Sequence, residues 1–316
     1  MQIKNNIRCS SQLSRCLIQD ILSNKLSKLE IKTILILSSL TRDEQNYILV
    51  SKKFLKNTLA CGKNTLSLII KNLEKYNFIY GQNEIIFSSK TNNRYYCLKL
   101  NDKYINCNKK SFGNKGYINV TKLHIEEFLK IDDVNVLRLQ LSALVKAFNL
   151  IGRDKKNSKK TIVKYTKNIL SKVWAKYLCY MKIIEKKLEK ITNMFEATIT
   201  ENFEIILTLN SSYNYNFCKN MLLDMFYEEY EECFHDDLKN LNYGKKRANE
   251  FNYQTHTIAI QNEILDTLAK ARFAYSEETV KLVARSFFEN FKNSKDVIKN
   301  PERYLNKSLK NLISAN

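Results

Sequence analysis

The stretch that most restricts what this chain can become is Lys63 to Tyr76, KNTLSLIIKNLEKY, because its apolar residues fall on one helical stripe. Leu66, Ile69, Ile70 and Leu73 recur at helical spacing, which turns Lys63, Asn64, Thr65, Ser67, Lys71, Asn72 and Lys75 outward. Both ends are marked. Cys61-Gly62 supplies a turn ahead of the helix, and Asn77, a residue that tolerates left-handed backbone, stands where it must stop before Phe78-Ile79-Tyr80.

The neighbourhood extends the pattern. Leu29 to Leu40 is apolar enough for a buried helix, Tyr47 to Val50 is a short β-branched run, and Ser51 is an N-cap candidate for a helix over Lys52–Leu59. Glu84 to Phe87 and Arg94 to Leu100 are strand-like and are joined by the polar turn Ser88-Ser89-Lys90-Thr91-Asn92-Asn93. Helix, strand, helix, turn, helix, hairpin is the order of a winged helix, and TLSLIIKNLEKYNFI resembles the recognition helix of that family. The resemblance covers about Leu26 to Leu100. It implies that the helix beginning at Lys63 enters a DNA major groove. Lys63, Asn64, Thr65 and Ser67 are then placed to reach base edges, while Lys52, Lys53, Lys71, Lys90 and Arg94 meet phosphates, the last two from the wing.

After a basic connector, NCNKKSFGNK, the order of elements starts again. Val120-Thr121-Lys122 opens a helical stretch through Lys130, and Val134 to Phe148 is a strongly apolar helix. Thr161 to Leu170 is expected to form a second helix, and Ala175 to Met194 a longer one. Lys186-Lys187-Leu188-Glu189-Lys190 aligns in phase with Lys71-Asn72-Leu73-Glu74-Lys75, and a strand pair over 196–200 and 203–209 follows. On this longer helix Tyr177, Met181, Ile184, Leu188 and Ile191 are expected inward, with Lys176, Tyr180, Lys182, Lys186 and Lys187 outward as DNA contacts. Glu185 and Glu189 dilute that face, so phosphates or a partner chain suit it better than bases.

From Tyr215 the chain reads as helices, with Leu222, Met225, Phe226, Tyr230, Phe234, Leu238 and Leu241 on a stripe through an acidic stretch. The spacing of Cys233, His235, Asp236 and Asp237 fits no metal-ligand pattern. The expected fold class is therefore mainly α with small β-hairpins (α+β). It comprises an N-terminal winged-helix domain (1–105), a basic linker (106–116), a second winged-helix domain (117–212) and a helical C-terminal region (213–316).

Composition narrows the partner. Lys and Arg number 52 against 32 Asp and Glu, a net charge of +20 that calls for a polyanion. The apolar run Ile31 to Leu40 is far shorter than the roughly 20 residues of a membrane span, and Lys32 interrupts it. No signal-like apolar segment follows Met1, which points to double-stranded DNA, no membrane and a cytoplasmic location. The eight cysteines form no C-x-x-C pair, and no P-loop is present, so no cofactor and no metal are expected.

Asn300-Pro301-Glu302-Arg303-Tyr304-Leu305 resembles the closing helix of Gram-positive replication initiators and DnaD-like replisome proteins, without the aromatic residue that often ends it. Two winged-helix units followed by a helical tail resemble theta-type plasmid replication initiators. That resemblance implies binding to origin repeats, recruitment of host helicase or helicase-loading proteins, and no catalysis; self-association is compatible with it. A transcription or conjugation regulator would use the same DNA chemistry and stays an alternative. A rolling-circle nickase fits less well, because His124, His235 and His256 do not form the paired metal ligands such an enzyme needs.

Overall fold

The computed structural model describes residues 7–43, 45–86, 94–105, 116–153, 161–174, 180–243, 250–292 and 300–314. It is mainly helical with small antiparallel sheets, and it divides into two compact units, Met1–Cys218 and Lys219–Asn316.

The first unit is built from one pattern used twice. β1 (Ser10–Ser14), α1 (Arg15–Ser23), α2 (Lys28–Ser39), β2 (Tyr47–Ser51), α3 (Lys52–Leu59), α4 (Lys63–Lys75), β3 (Ile79–Ile86) and β4 (Arg94–Leu100) make the first pass, closed by the short α5 (Asp102–Ile105). β5 (Tyr117–Thr121), α6 (Lys122–Lys130), α7 (Val134–Arg153), β6 (Thr161–Tyr165), α8 (Lys167–Val173), α9 (Met181–Leu188), β7 (Phe195–Ile199) and β8 (Ile205–Leu209) make the second. Each pass forms its own three-stranded antiparallel sheet, β2-β4-β3 and β6-β8-β7, with the last strand in the middle both times.

The passes are joined by exchange as well as by chain. β1 pairs antiparallel with β5, so that Gln12 and Asn119, the middle residues of their strands, face each other. α1 packs on α7 and α8 of the other pass, and α6 packs on α2. A single apolar core runs through both, from Leu13, Ile21, Ile34 and Leu35 to Leu137, Leu144, Ile184 and Leu207.

Two buried cations seal the exchange. Lys32, the fifth residue of α2, donates from Nζ to the carbonyl of Leu129, the eighth residue of α6, at 2.6 Å. Arg138, the fifth residue of α7, donates to the carbonyl of Leu22, the eighth residue of α1, and to those of Ile21 and Asn24 at 2.8 Å and Val173 at 2.6 Å. Helix C-termini leave carbonyls without intrahelical donors, and a cation there also answers the negative end of the helix dipole.

Three sequence expectations change. Thr161–Tyr165 is a strand, not the start of a helix; its residues alternate exposed and buried, with Val163 and Tyr165 inward, and Tyr165 Oη donates to Ser142 Oγ on α7 at 2.9 Å. The helical stretch expected from Val120 begins at Lys122, because Tyr117–Thr121 pairs with β1. An apolar window of span-like length does exist: Val134–Ile151 has 18 residues, but it belongs to the core helix α7, is 61% buried inside the fold, and carries Arg138 and Lys146.

The second unit contains α11 (Glu250–Ala271), α12 (Glu277–Lys292), α13 (Pro301–Ser314) and most of α10 (Tyr215–Lys239). Tyr230, Phe234, Leu268, Phe287, Phe288, Leu305 and Leu309 fill its core. The Asn-Pro-x-x-Tyr sequence has a structural task here. Asn300 Oδ1 accepts from the Arg303 amide at 2.9 Å, Pro301 opens α13 where its missing N–H costs nothing, and the Tyr304 ring packs 5.2 Å from that of Phe291. The acidic side chains of Asp224, Glu228, Glu231, Glu232 and Asp236 point to solvent, whereas Glu229 pairs with Lys281 at 2.7 Å.

Candidate nucleic-acid interface

The helix singled out from sequence is α4, and local chemistry fixes both its ends. Ser51 Oγ caps α3 by accepting from the Phe54 amide at 3.4 Å, and Ala60 takes left-handed backbone at φ +48° to break the chain between helices. Gly62 then serves as N-cap without any side-chain bond, so the first amides of α4 and the positive end of its dipole face outward. At the far end Asn77 has φ +58°, its amide donates to Glu74 O at 2.8 Å, and the Phe78 amide donates to Leu73 O at 2.8 Å. That pair of bonds is a Schellman closure, and it places Phe78 in the core, stacked 5.7 Å from Tyr104.

Leu66, Ile69, Ile70 and Leu73 are buried as the spacing requires. Lys63, Asn64, Thr65, Lys71 and Lys75 are exposed and Ser67 is half-buried. Leu68 lies outside the set expected from sequence: it is 59% exposed, one turn from both Asn64 and Lys71, in the middle of the polar face. Its helical phase was the available signal.

Asn72 does not point freely outward. Its Nδ2 donates to Glu30 Oε1 at 2.7 Å, while Oε2 of the same carboxylate accepts from the Ser27 amide at 2.7 Å in the capping box of α2. Glu30 is thereby satisfied although only 5% exposed. The contact ties the outer helix to the N-terminus of the core helix beneath it.

Around α4, α3 packs against α4 and β4, which gathers Lys52, Lys53 and Arg94 onto neighbouring elements. Lys53 and Arg94 are exposed, and Lys52 is half-buried with Nζ 4.4 Å over the Tyr96 ring. That contact leaves an ammonium with a partly occupied coordination sphere, less free for phosphate than the sequence implied. Lys90 and Lys176 lie outside the described residues.

The second pass presents its counterpart helix, α9, more weakly. Tyr180 is its N-cap and is 67% exposed, and Lys182 and Lys186 are exposed. The helix is shorter than expected: Ile184 is its one fully buried residue, Met181 and Leu188 are half-buried, and Tyr177 lies outside the described residues. Lys187, expected outward, is turned inward instead. Its Nζ donates to Asp133 Oδ2 at 2.6 Å, 5.9 Å from the Trp174 ring. Glu185 and Glu189 are exposed on the same short helix, and the β7–β8 turn carries Glu201, Phe203 and Glu204 rather than cations.

Burial raises the Asp133 carboxyl, but bonds from Lys187 and the Val136 and Asn135 amides outweigh it and hold the group below the ordinary carboxylate value. Among the described residues no three His, Cys, Asp or Glu side chains converge as metal ligands. Compared with family models, characterised proteins and solved structures, the chain matches none.

Proposed function

We propose that the first unit is a tandem pair of winged helices that binds double-stranded DNA, with α4 as the principal reading helix and the β3–β4 and β7–β8 hairpins as wings. The observation that carries the reading is the outward face of α4. It joins an uncapped helix N-terminus, short polar side chains at Asn64 and Thr65, and cations at Lys63, Lys71 and Lys75, all held by a buried stripe and a Schellman closure. A helix of this kind fits the major groove, and lysines along its length answer the phosphates on either side. The net charge of +20 supplies long-range attraction.

Within that class, a plasmid replication initiator is the reading that best accommodates two DNA units in one chain followed by a separate helical unit. The helical unit, with its exposed acidic residues on α10, is then free for host helicase-loading proteins. A regulator of transcription or conjugation would share the first unit and lack that recruitment.

Binding of the full chain to a mixed-sequence duplex at several salt concentrations tests the DNA reading. With both passes engaged, affinity falls with a slope corresponding to about six to ten neutralised phosphates. A slope of one or two leaves a single pass on DNA, and no retention at low salt removes the proposal.

A further inference from the structure

We infer that the groove between α1 and α7 is a binding site for a small amphipathic anion, an acidic head group on a short aliphatic body. The inference goes beyond the duplex-binding reading above and does not depend on it.

The groove is a cavity of about 400 Å³, within the roughly 300 to 1,000 Å³ of small-molecule sites. Each wall is one face of a helix. Arg15, Ile18 and Leu22 of α1 recur at helical spacing, and Val145, Lys146 and Asn149 of α7 do so across from them. Arg138, near the start of α7, donates to the carbonyls of Ile21, Leu22 and Asn24 at the end of α1, so the two helices run in opposite senses. One end of the groove therefore gathers Arg15, Lys146 and Asn149. Leu22 lines the other end, with Ile18 and Val145 between.

The cationic end lacks a counter-charge. No acidic side chain lines the groove among the described residues. Arg15 Nε is buried without a hydrogen-bond partner, and a guanidinium is a planar fork matched to a carboxylate or a phosphate. Lys146 Nζ lies 3.9 Å from the centre of the Tyr165 ring, and burial lowers its pKa from the ordinary lysine value with no carboxylate opposing the effect. α1 begins at Arg15 after an N-cap, Ser14, whose side chain makes no cap bond, so the positive end of the helix dipole adds to the same end.

The apolar end sets the rest of the ligand. Ile18 is 2% exposed, Leu22 and Val145 are half-buried, and the Ser142 hydroxyl already accepts from Tyr165 Oη at 2.9 Å. An inorganic anion leaves that surface wet, and a neutral hydrocarbon leaves both cations without a partner. A molecule with an acid at one end and a few methylenes behind it answers both. Because its two walls belong to different passes, it also holds the first unit together, and binding raises the unfolding temperature.

The test is calorimetric titration of the full chain with octanoate, octyl phosphate, octanol, acetate and inorganic phosphate, each with and without a mixed-sequence duplex in excess. Octanoate or octyl phosphate is expected to saturate one site per chain, the tighter of the two naming the acid, with octanol and acetate at least about tenfold weaker. Hexanoate should bind more weakly than octanoate by about fourfold for each methylene that enters the groove. Arg15→Gln and Lys146→Met should each weaken binding about tenfold, and Lys239→Gln, which removes the same charge from an exposed position on α10, should not. Val145→Asp places a carboxylate in the groove and should abolish binding, which keeps the test decisive if either cation variant fails to fold. Octanol equal to octanoate, inorganic phosphate equal to octyl phosphate as an adventitious ion only, displacement of the ligand by the duplex, or no saturation by any compound at millimolar concentration overturns the inference. Each of these outcomes leaves the duplex-binding reading standing.

Discussion

Lys187 Nζ stands 2.6 Å from Asp133 Oδ2, with both side chains mostly withdrawn from water at 18% and 17% exposure. A lysine in a basic stretch is here a fastener between α9 and the cap of α7, since Asp133 also accepts from the Asn135 and Val136 amides. Replacement by methionine keeps the stem and removes the charge, leaving a half-buried carboxylate unpaired. We expect Lys187→Met to cost about 1 to 3 kcal/mol in urea denaturation and to leave the salt slope of duplex binding unchanged. Lys186→Ala should do the reverse. If Lys187→Met lowered the salt slope at unaltered stability, the fastening role would be wrong.

His124 makes stability depend on pH in a defined window. Its ring is fully buried, Nε2 donates to the Tyr213 carbonyl at 2.9 Å, and Nδ1 accepts from the Thr121 amide at 3.2 Å, so the neutral form is satisfied at both nitrogens. Burial, only partly opposed by the Tyr213 carbonyl, pushes its pKa down to about 4. The unfolded imidazole protonates near 6.5, and between those values the unfolded chain holds a proton that the folded chain refuses. Stability is complete above that window and declines as pH falls from 6.5 toward 4, by on the order of 3 kcal/mol for this group. Midpoints from denaturation at pH 7.5, 6, 5 and 4.5 should show the decline, and His124→Gln should flatten it.

The two exchange contacts differ in what they satisfy. Arg138 serves four backbone carbonyls while 3% exposed, and Lys32 serves one carbonyl and sits 3.7 Å from the exposed Asp132. Arg138→Met strands four backbone acceptors, two of them buried and two part-buried, and should cost about 3 to 5 kcal/mol, whereas Lys32→Met should cost about 1 to 2 kcal/mol. Urea midpoints of the two variants compare them directly. Equal losses would mean that the number of carbonyls served does not set the cost.

Sequence periodicity sufficed where a helix has one wet and one dry side. α4, its Asn77 closure, and the α2, β2 and α3 elements before it follow from local pattern, because each answers to its own residues. The strand β1 was not legible. Ser10-Ser11-Gln12-Leu13-Ser14 lacks β-branched residues, and its partner Tyr117–Thr121 is remote in the chain, so only tertiary pairing makes it a strand. Thr161–Tyr165 alternates with period two, yet its five residues are too few to separate a strand from the helix that the sequence suggests there. The inward turn of Lys187 and Asn72 is illegible in the sequence for the same underlying reason. A polar residue at the margin of a stripe turns to whichever neighbour offers a partner, and Glu30 comes from α2 and Asp133 from the segment just before α7.

Leu68 gives the sharpest test of whether α4 reads bases. An exposed leucine between Asn64 and Lys71 gains nothing from water, and in a major groove the apolar edge available to it is the thymine C5-methyl. Removing one such methyl from contact costs about 0.8 kcal/mol, close to a fourfold change in affinity. Replacing thymines one at a time by deoxyuridine in the preferred duplex, which deletes only the methyl, should therefore weaken the wild-type protein about fourfold at one position under α4. The Leu68→Ala variant should bind the thymine and deoxyuridine duplexes alike. A deoxyuridine penalty that persists undiminished in Leu68→Ala would assign the methyl contact to another side chain, and the absence of a penalty at every position would remove Leu68 from the reading face.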